Sequence, residues 1–325
     1  MFTYEHNSDS IAYKNIVEIF GRDSYIIYVS GSFGDIYLNL SLMSDFRKMI
    51  VGDIGLILPD RYSEMYKYFD LRGLKILVLN PNDFNFLNTL VRSNMHNGYY
   101  IKKGMIYPTL PSFHRMIIEF YNTGRIKGYD LYTGILNLPI DSSFKNLTLT
   151  GPENELAKLH IVNNGCRLGK TFVVSHYNNS HINQDINFWS NICHMLVESG
   201  YDVLVNSTPL HIKGESPLLS NYPKTTLPPH LCLQIIKEAG FSISGTNGLC
   251  TLLSVFGQNV KTIQIINEYI NQNEHNSFSS PYHKNSCSHL LNYEACINKS
   301  NWLEISIDDN LLEDKIKNFI KYDTA

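Results

Sequence analysis

Two successive doubly wound α/β domains are the fold class this sequence predicts, and three observations predict it. Short apolar runs of strand length alternate with amphipathic segments of helix length, joined by short polar connections, which is the pattern of an open parallel sheet. That alternation restarts near residue 150. A chain of 325 residues also exceeds what one hydrophobic core usually holds, so two domains of about 150 residues are the natural division. The boundaries read as 1–150 and 151–308, with a terminal helix over 309–325 free to pack back on the first domain.

Tyr25-Ile26-Ile27-Tyr28-Val29 is a continuous apolar run of the kind buried on both faces of a parallel sheet. It ends in Ser30-Gly31-Ser32-Phe33-Gly34-Asp35, after which Ile36 to Met49 reads as a helix. A second strand, Ile54 to Leu58, stops at Pro59-Asp60 and gives way to a helix over Arg61 to Phe69. A third, Lys75 to Leu79, ends at Asn80-Pro81, and Pro111 to Tyr121 carries Phe113, Met116, Ile117 and Phe120 on one helical face. Thr148 to Glu153 has turn chemistry, and Leu156 to Val162 then reads as a helix before the strand Thr171 to Ser175. Helix Phe188 to Ser199 closes at Gly200, a residue suited to the left-handed position after a helix. Strand Asp202 to Val205 follows, then a helix through Leu231, Ile235, Ile236 and Ala239 closed by Gly240, and the strand Phe241 to Ser244. The loop Gly245 to Gly248, a helix to Phe256 and the strand Lys261 to Ile265 complete the second alternation. Residues 267–300 are polar and aperiodic, a long loop. Leu303 to Ile307 reads as a last strand and Leu311 to Ile320 as an amphipathic helix. There is no internal repeat.

Composition excludes several classes. Hydrophobic residues at 43% and aromatic residues at 12% rule out a disordered chain. Lys+Arg 27 against Asp+Glu 30 leaves a net charge of -3, without the basic surface that a dedicated nucleic-acid binder needs. No run approaches the roughly 20 apolar residues of a membrane span, and the opening residues lack a signal pattern, so a cytoplasmic chain, soluble or peripheral at a membrane face, is expected. The six cysteines are scattered without a CxxC pair. Cys193, Cys232 and Cys250 sit in apolar helical patterns, which implies reduced thiols in place of a disulfide framework.

Ligands of open α/β sheets lie outside the carboxyl ends of the strands, and two glycine-rich loops follow strands here. In Gly31-Ser32-Phe33-Gly34-Asp35 the glycines permit a tight turn, and Asp35 opens a helix whose unpaired amides favour a carboxylate. Asp35 is then either a helix-opening residue or a general base. Gly245-Thr246-Asn247-Gly248-Leu249 opens an apolar helix: either Thr246 or Asn247 simply caps it, or its free N–H groups form an anion site suited to a diphosphate. Residues 91–128 hold Arg92, Lys102, Lys103, Arg115, Arg125 and Lys127 against the single acid Glu119. They form either a solvated basic face or a patch for a phosphorylated glycolipid acceptor or a membrane surface. Tyr99, Tyr100 and Tyr107 could stack on a sugar ring.

Tyr28-Val-Ser-Gly-Ser-Phe-Gly-Asp35-Ile36, followed by a helix bearing Leu40 and Leu42, resembles the opening of the ADP-heptose:lipopolysaccharide heptosyltransferases, glycosyltransferase family nine. The Phe188-Trp189 helix, Gly200-Tyr-Asp-Val-Leu-Val205 and the layout of Leu227 to Leu253 resemble the family's donor half, with a divergent donor motif. Thr246 stands where the family has an acid, Thr251 where it has a histidine, and the phosphate-binding lysine after strand 171–175 is replaced by His176-Tyr177-Asn178-Asn179-Ser180-His181.

The resemblance, over about residues 25–265, implies a GT-B fold of two Rossmann-like domains with a nucleotide-sugar in the cleft between them. It implies inverting transfer to a hydroxyl of a carbohydrate or glycolipid in bacterial surface-glycan synthesis, with no cofactor beyond the nucleotide-sugar co-substrate and no obligatory metal. By position, Asp35 would deprotonate the acceptor. His176, Tyr177, Asn178, Thr246, Asn247, Gly248 and Leu249 would hold the donor, and Gly31, Ser32, Gly34, Lys102, Lys103 and Arg115 would lie on the acceptor side. A nucleotide-sugar epimerase and a non-catalytic nucleotide- or sugar-binding protein are the alternatives.

Two further patterns are set aside. Asn164-Gly165-Cys166-Arg167-Leu168-Gly169-Lys170-Thr171 imitates a phosphate-binding P-loop, but it precedes a strand instead of following one. The spacing of His283, Cys287, His289 and Cys296 fits no standard zinc site.

Overall fold

The structure, a computed structural model, describes residues 11–93, 101–110, 114, 128–139, 142–176, 185–207, 219–245, 247–257, 259–266 and 299–321. It divides into two compact units, Met1–Thr148 and Leu149–Ala325. The first contains α1 (Ile11–Phe20), β1 (Tyr25–Tyr28), α2 (Phe33–Met49), β2 (Ile54–Pro59), a 3₁₀ turn (Asp60–Tyr62), α3 (Ser63–Tyr66), β3 (Lys75–Leu79), α4 (Pro81–Ser93), β4 (Ile106–Pro108) and α5 (Gly128–Ile135). The second contains α6 (Gly151–Asn163), β5 (Thr171–Ser175), α7 (Ile186–Glu198), β6 (Asp202–Asn206), β7 (Lys224–Thr225), α8 (Cys232–Ala239), β8 (Gly240–Gly245), α9 (Gly248–Phe256), β9 (Lys261–Ile266), β10 (Trp302–Ser306) and α10 (Leu312–Lys321).

Both sheets are parallel throughout. The first runs β3-β2-β1-β4 and the second β10-β9-β8-β5-β6-β7. Renumbered from its own start, the second has the doubly wound order 3-2-1-4-5-6. Chain direction along the sheet therefore reverses between β1 and β4 in one unit and between β5 and β8 in the other. These are the switch points at which such sheets open a crevice for a ligand.

Each sheet is sandwiched because its central strands are apolar on both faces. Ile26, Tyr28, Ile57 and Ile106 pack with Tyr13, Val17 and Phe20 of α1 and with Phe84, Leu87 and Val91 of α4. In the second unit Phe172, Val174, Phe241, Ile243, Ile263 and Ile265 meet Trp189, Ile192, Cys193 and Leu196 of α7. The helix ends follow local chemistry: Gly240 closes α8 in the left-handed region at φ 91°, as its position in the sequence predicts. Thr148 to Glu153 holds more than a turn, since the Thr150 N–H and hydroxyl both donate to Glu153 Oε2 (2.8 and 2.7 Å), a capping box that starts α6.

Several elements differ from expectation. The helix expected over Arg61 to Phe69 is a 3₁₀ turn and a four-residue α3, because Tyr68 and Phe69 tighten onto the carbonyls of Met65 and Tyr66 three residues back. Leu312, Ile316 and Ile320 of the terminal helix α10 join the second unit's core around Phe172, and the Ile320 carbonyl accepts from the Tyr201 hydroxyl (3.2 Å). Of the expected helix over 111–121 the structure describes His114 alone, outside any helix, and the polar stretch 267–298 lies outside the described residues. No helix among the described residues is long and apolar enough to cross a membrane.

Candidate active site

The turn after β1 is built around one carboxylate. Ser32 caps α2, and its backbone N–H and hydroxyl both donate to Asp35 Oδ2 at 2.7 Å. The hydroxyl of Tyr132, buried on α5, donates to Asp35 Oδ1 at 2.6 Å. One turn further along α2, the buried Asn39 donates from Nδ2 to the Asp35 carbonyl (2.8 Å), so backbone and side chain are both anchored. A carboxylate offers roughly four acceptor sites. Three donors occupy three of them, and one remains for a further hydroxyl.

The glycines of this turn have separate duties. Gly31 has φ 114°, and a Cβ placed on it would lie 2.6 Å from Asp35 Oδ2, so only hydrogen lets the chain pass the carboxylate. Gly34 is buried in the first turn of α2. From the turn after β2, the Arg61 guanidinium donates to the Gly31 carbonyl and sits 4.9 Å from the Tyr62 ring centre, while Phe33 packs on that ring at 5.5 Å. The loop is thus braced from a second strand end.

In the second unit the turn after β8 makes the simpler of its two expected arrangements. The Asn247 carboxamide oxygen accepts from the N–H groups of Leu249 (3.0 Å) and Cys250 (3.2 Å), capping α9. The amide of Leu249, expected to receive a donor phosphate, is engaged by its own N-cap, because a side-chain oxygen three atoms from the backbone reaches it without the entropy cost of binding a ligand. His176 follows β5 directly, and Ser175 pairs with Ser244 of β8, so His176 and the Gly245 turn stand on neighbouring strand ends.

Sequence reading missed a polar row along this carboxyl edge. Thr225, Asn206, Ser175, Ser244, Gln264 and Glu304 lie in register across β7, β6, β5, β8, β9 and β10, in the carboxyl half or centre of each strand. The Asn206 Nδ2 donates to Ser175 Oγ (3.1 Å), and Thr225 Oγ1 pairs with His160 Nε2 of α6 (2.9 Å). The available signal was partial: β5, β6 and β7 end on Ser175, Asn206 and Thr225, but Gln264 and Glu304 lie inside β9 and β10, and their alignment with the others appears only in the sheet register.

The remaining candidates are dispersed. Lys102 and Lys103 are exposed and precede β4, at the amino edge of the first sheet; the Lys103 ammonium lies 5.6 Å from the ring of Tyr25, the first residue of β1. They do not join Gly31, Ser32, Gly34 and Asp35 at the carboxyl edge, because a parallel sheet puts every strand start on the side opposite every strand end. The Gly165–Lys170 turn lies likewise at the amino end of β5, where Arg167 is paired with Asp202 (2.8 Å), a contact that holds the Asp202 carboxyl below its ordinary range. Tyr177, Asn178, Thr246 and Arg115 lie outside the described residues, as do Tyr99, Tyr100, His283, Cys287, His289 and Cys296. Cys166, Cys193, Cys232 and Cys250 are buried thiols outside any disulfide among the described residues, and burial pushes the thiols of Cys193 and Cys232 up to about 12. Among the described residues no group of three or more His, Cys, Asp or Glu side chains is placed to hold a metal ion.

No family model matches the chain, and no curated protein matches it in sequence. Solved structures do resemble it. ADP-heptose LPS heptosyltransferase II of E. coli is 9% identical, over 91% of this chain and 97% of that one, with a TM-score of 0.55. A glycosyl transferase family 9 protein of Veillonella parvula is 12% identical over 93% and 92%, with a TM-score of 0.55. E. coli heptosyltransferase WaaC, solved with ADP, is 12% identical over 92% and 99%, with a TM-score of 0.51. At such identities the shared property is the fold: a GT-B type chain of two parallel α/β domains.

Proposed function

We propose that this chain is a glycosyltransferase that moves a sugar from a nucleotide-sugar donor to a hydroxyl of a carbohydrate or glycolipid acceptor. The observation that carries the reading is Asp35, a carboxylate anchored by Ser32 and Tyr132 at the carboxyl end of the switch-point strand, with acceptor capacity to spare. The GT-B fold supports it, since the solved relatives with that fold are named as heptosyltransferases or a family 9 glycosyl transferase.

In this reading Asp35 takes the proton of the acceptor hydroxyl as its oxygen attacks the anomeric carbon, and the bond from that carbon to the diphosphate breaks. Attack opposite the leaving group inverts the anomeric configuration. A base need only reach the proton at hydrogen-bond distance, and the Ser32 and Tyr132 contacts keep the carboxylate from rotating away. The charge on the departing diphosphate is met by the N–H groups of the Asn247–Leu249 turn, by Thr246 and by the loop of His176, Tyr177 and Asn178 in place of a resident metal. To use the Leu249 and Cys250 amides the diphosphate displaces the Asn247 oxygen from them. The setting we propose is bacterial surface-glycan synthesis, at the inner membrane face where the acceptor is a glycolipid.

The test is a panel of ADP-, UDP-, GDP-, CMP- and dTDP-linked sugars, with nucleotide release followed with and without saccharide acceptors. The expected result is acceptor-dependent release that falls by about 10²-fold or more in Asp35→Asn while nucleotide binding persists. Full turnover by Asp35→Asn removes Asp35 from the mechanism. Donor consumption without nucleotide release marks an epimerase, and nucleotide binding without any consumption marks a binding protein.

A further inference from the structure

A second feature shares the Gly31 turn. A cavity of about 310 Å³ opens at the carboxyl ends of the first sheet, bounded by Gly31 after β1, Asp60 and Arg61 after β2, and Phe84, Asn85 and Asn88 along α4. Every lining residue lies in the first unit. Gly31 borders the cavity and also neighbours Asp35, since the position a Gly31 Cβ would take is 2.6 Å from Asp35 Oδ2. The cavity and the carboxylate thus share Gly31 as a common neighbour.

The lining has a definite chemistry. Its only ionisable side chains among the described residues are Asp60 and Arg61, one of each sign, and the Arg61 guanidinium is already donating to the Gly31 carbonyl. Asn85 and Asn88, three residues apart on one face of α4, supply two carboxamides, and the Asn88 side-chain oxygen is buried without a hydrogen-bond partner among the described residues. The Phe84 ring, fixed 5.1 Å from Tyr28, adds an apolar wall. Paired donor–acceptor amides beside an aromatic wall, with no net charge, complement the alternating hydroxyls and C–H faces of a sugar ring. An anionic group would meet one engaged cation and an opposing carboxylate. The volume is at the small end for ligand pockets, which suits a terminal sugar unit rather than an extended chain.

We propose that this cavity is a saccharide subsite that holds the terminal sugar of the acceptor, and that this sugar is uncharged. The proposal rests on the glycosyltransferase reading and narrows its acceptor class. Of the six basic residues that argue for a phosphorylated acceptor, Lys102 and Lys103 stand at the opposite edge of the sheet, and Arg115, Arg125 and Lys127 lie outside the described residues.

The full chain, without donor, is applied to a printed array of neutral oligosaccharides and their phosphorylated, sulfated and carboxylated counterparts. Retention on neutral saccharides is expected, weakened about tenfold or more by Asn88→Leu, which leaves a sugar hydroxyl unpaired. Asn85→Ala, at an exposed position on the helix, tests the same face should Asn88→Leu fail to fold. Absence of neutral-saccharide binding, or binding indifferent to both variants, overturns the proposal. So does preference for the anionic members lost on replacing Lys102 and Lys103 by alanine. Nucleotide release is read separately: acceptor-dependent release with no cavity-dependent saccharide binding overturns the subsite alone. Cavity-dependent binding with no release from any donor supports a saccharide site while removing the transferase reading.

Discussion

At the scale of single residues, the two halves of the candidate site differ in what local chemistry determined. Asp35 and Gly31 are separated by four positions, and their relation follows from the turn itself: a helix-opening carboxylate folds back on its own cap, and the residue it folds against must be glycine. Gly31→Ala should therefore cost about 1–3 kcal/mol, from the φ of 114° and the clash with Asp35 Oδ2, with nucleotide release lost alongside. Denaturant titration and the release assay measure the two effects; a variant of unchanged stability and turnover would show that the turn does not set the carboxylate. Tyr132, 97 positions from Asp35, carried no comparable signal. An isolated tyrosine in a short helix looks like any of the 21 in the chain, and only the packing of α5 brings it to the carboxylate.

At the scale of elements, the Asn247 cap decides between two readings that the residues alone left open. Glycine, threonine and asparagine ahead of an apolar helix serve a cap and an anion site equally well, and the bond lengths to Leu249 and Cys250 show the cap is made. Asn247→Ala should lower stability by about 1 kcal/mol. If a diphosphate takes those amides in its turn, ADP should restore more melting temperature to this variant than to the parent; equal shifts would place the diphosphate elsewhere. The strands with apolar runs were legible because neighbouring residues suffice to make a buried strand. The short β4 and β7 offered too few residues for a pattern, and α1, α4 and α5 were passed over. Of these, α4 had a readable start, since Asn80 Oδ1 accepts from the N–H groups of Asn82 and Asp83 ahead of Pro81 at the first helical position. The run Lys75 to Leu79 also shows the limit of composition: β3 is an edge strand, with Ile76 45% and Val78 41% exposed.

At the scale of the molecule, each unit carries its own core, and in the second a titratable contact joins α6 to β7. His160 of α6 pairs with Thr225 of β7, and burial lowers its pKa from the ordinary value. A depressed folded value means that the unfolded chain binds the proton more readily. The stabilising effect is then complete above about pH 6.5 and is lost as pH falls through the folded value. Urea midpoints for the second unit should drop between pH 7.5 and pH 5.5, and His160→Gln should show a smaller drop. An equal drop in the variant would assign the dependence to other groups.

The sequence by itself determined the alternation of strand and helix, the cap at Gly240 and the Gly31–Asp35 turn. Each depends on side chains within a few positions, whose periods and short hydrogen bonds are set by covalent geometry. Tertiary structure alone decided which strands are central, that polar residues of six strands form one row, that Lys102 and Lys103 fall on the far edge, and that α10 packs on the core around Phe172. Those outcomes turn on register and pairing between segments far apart in the chain, where many partners satisfy the same local preference and only the summed packing selects one.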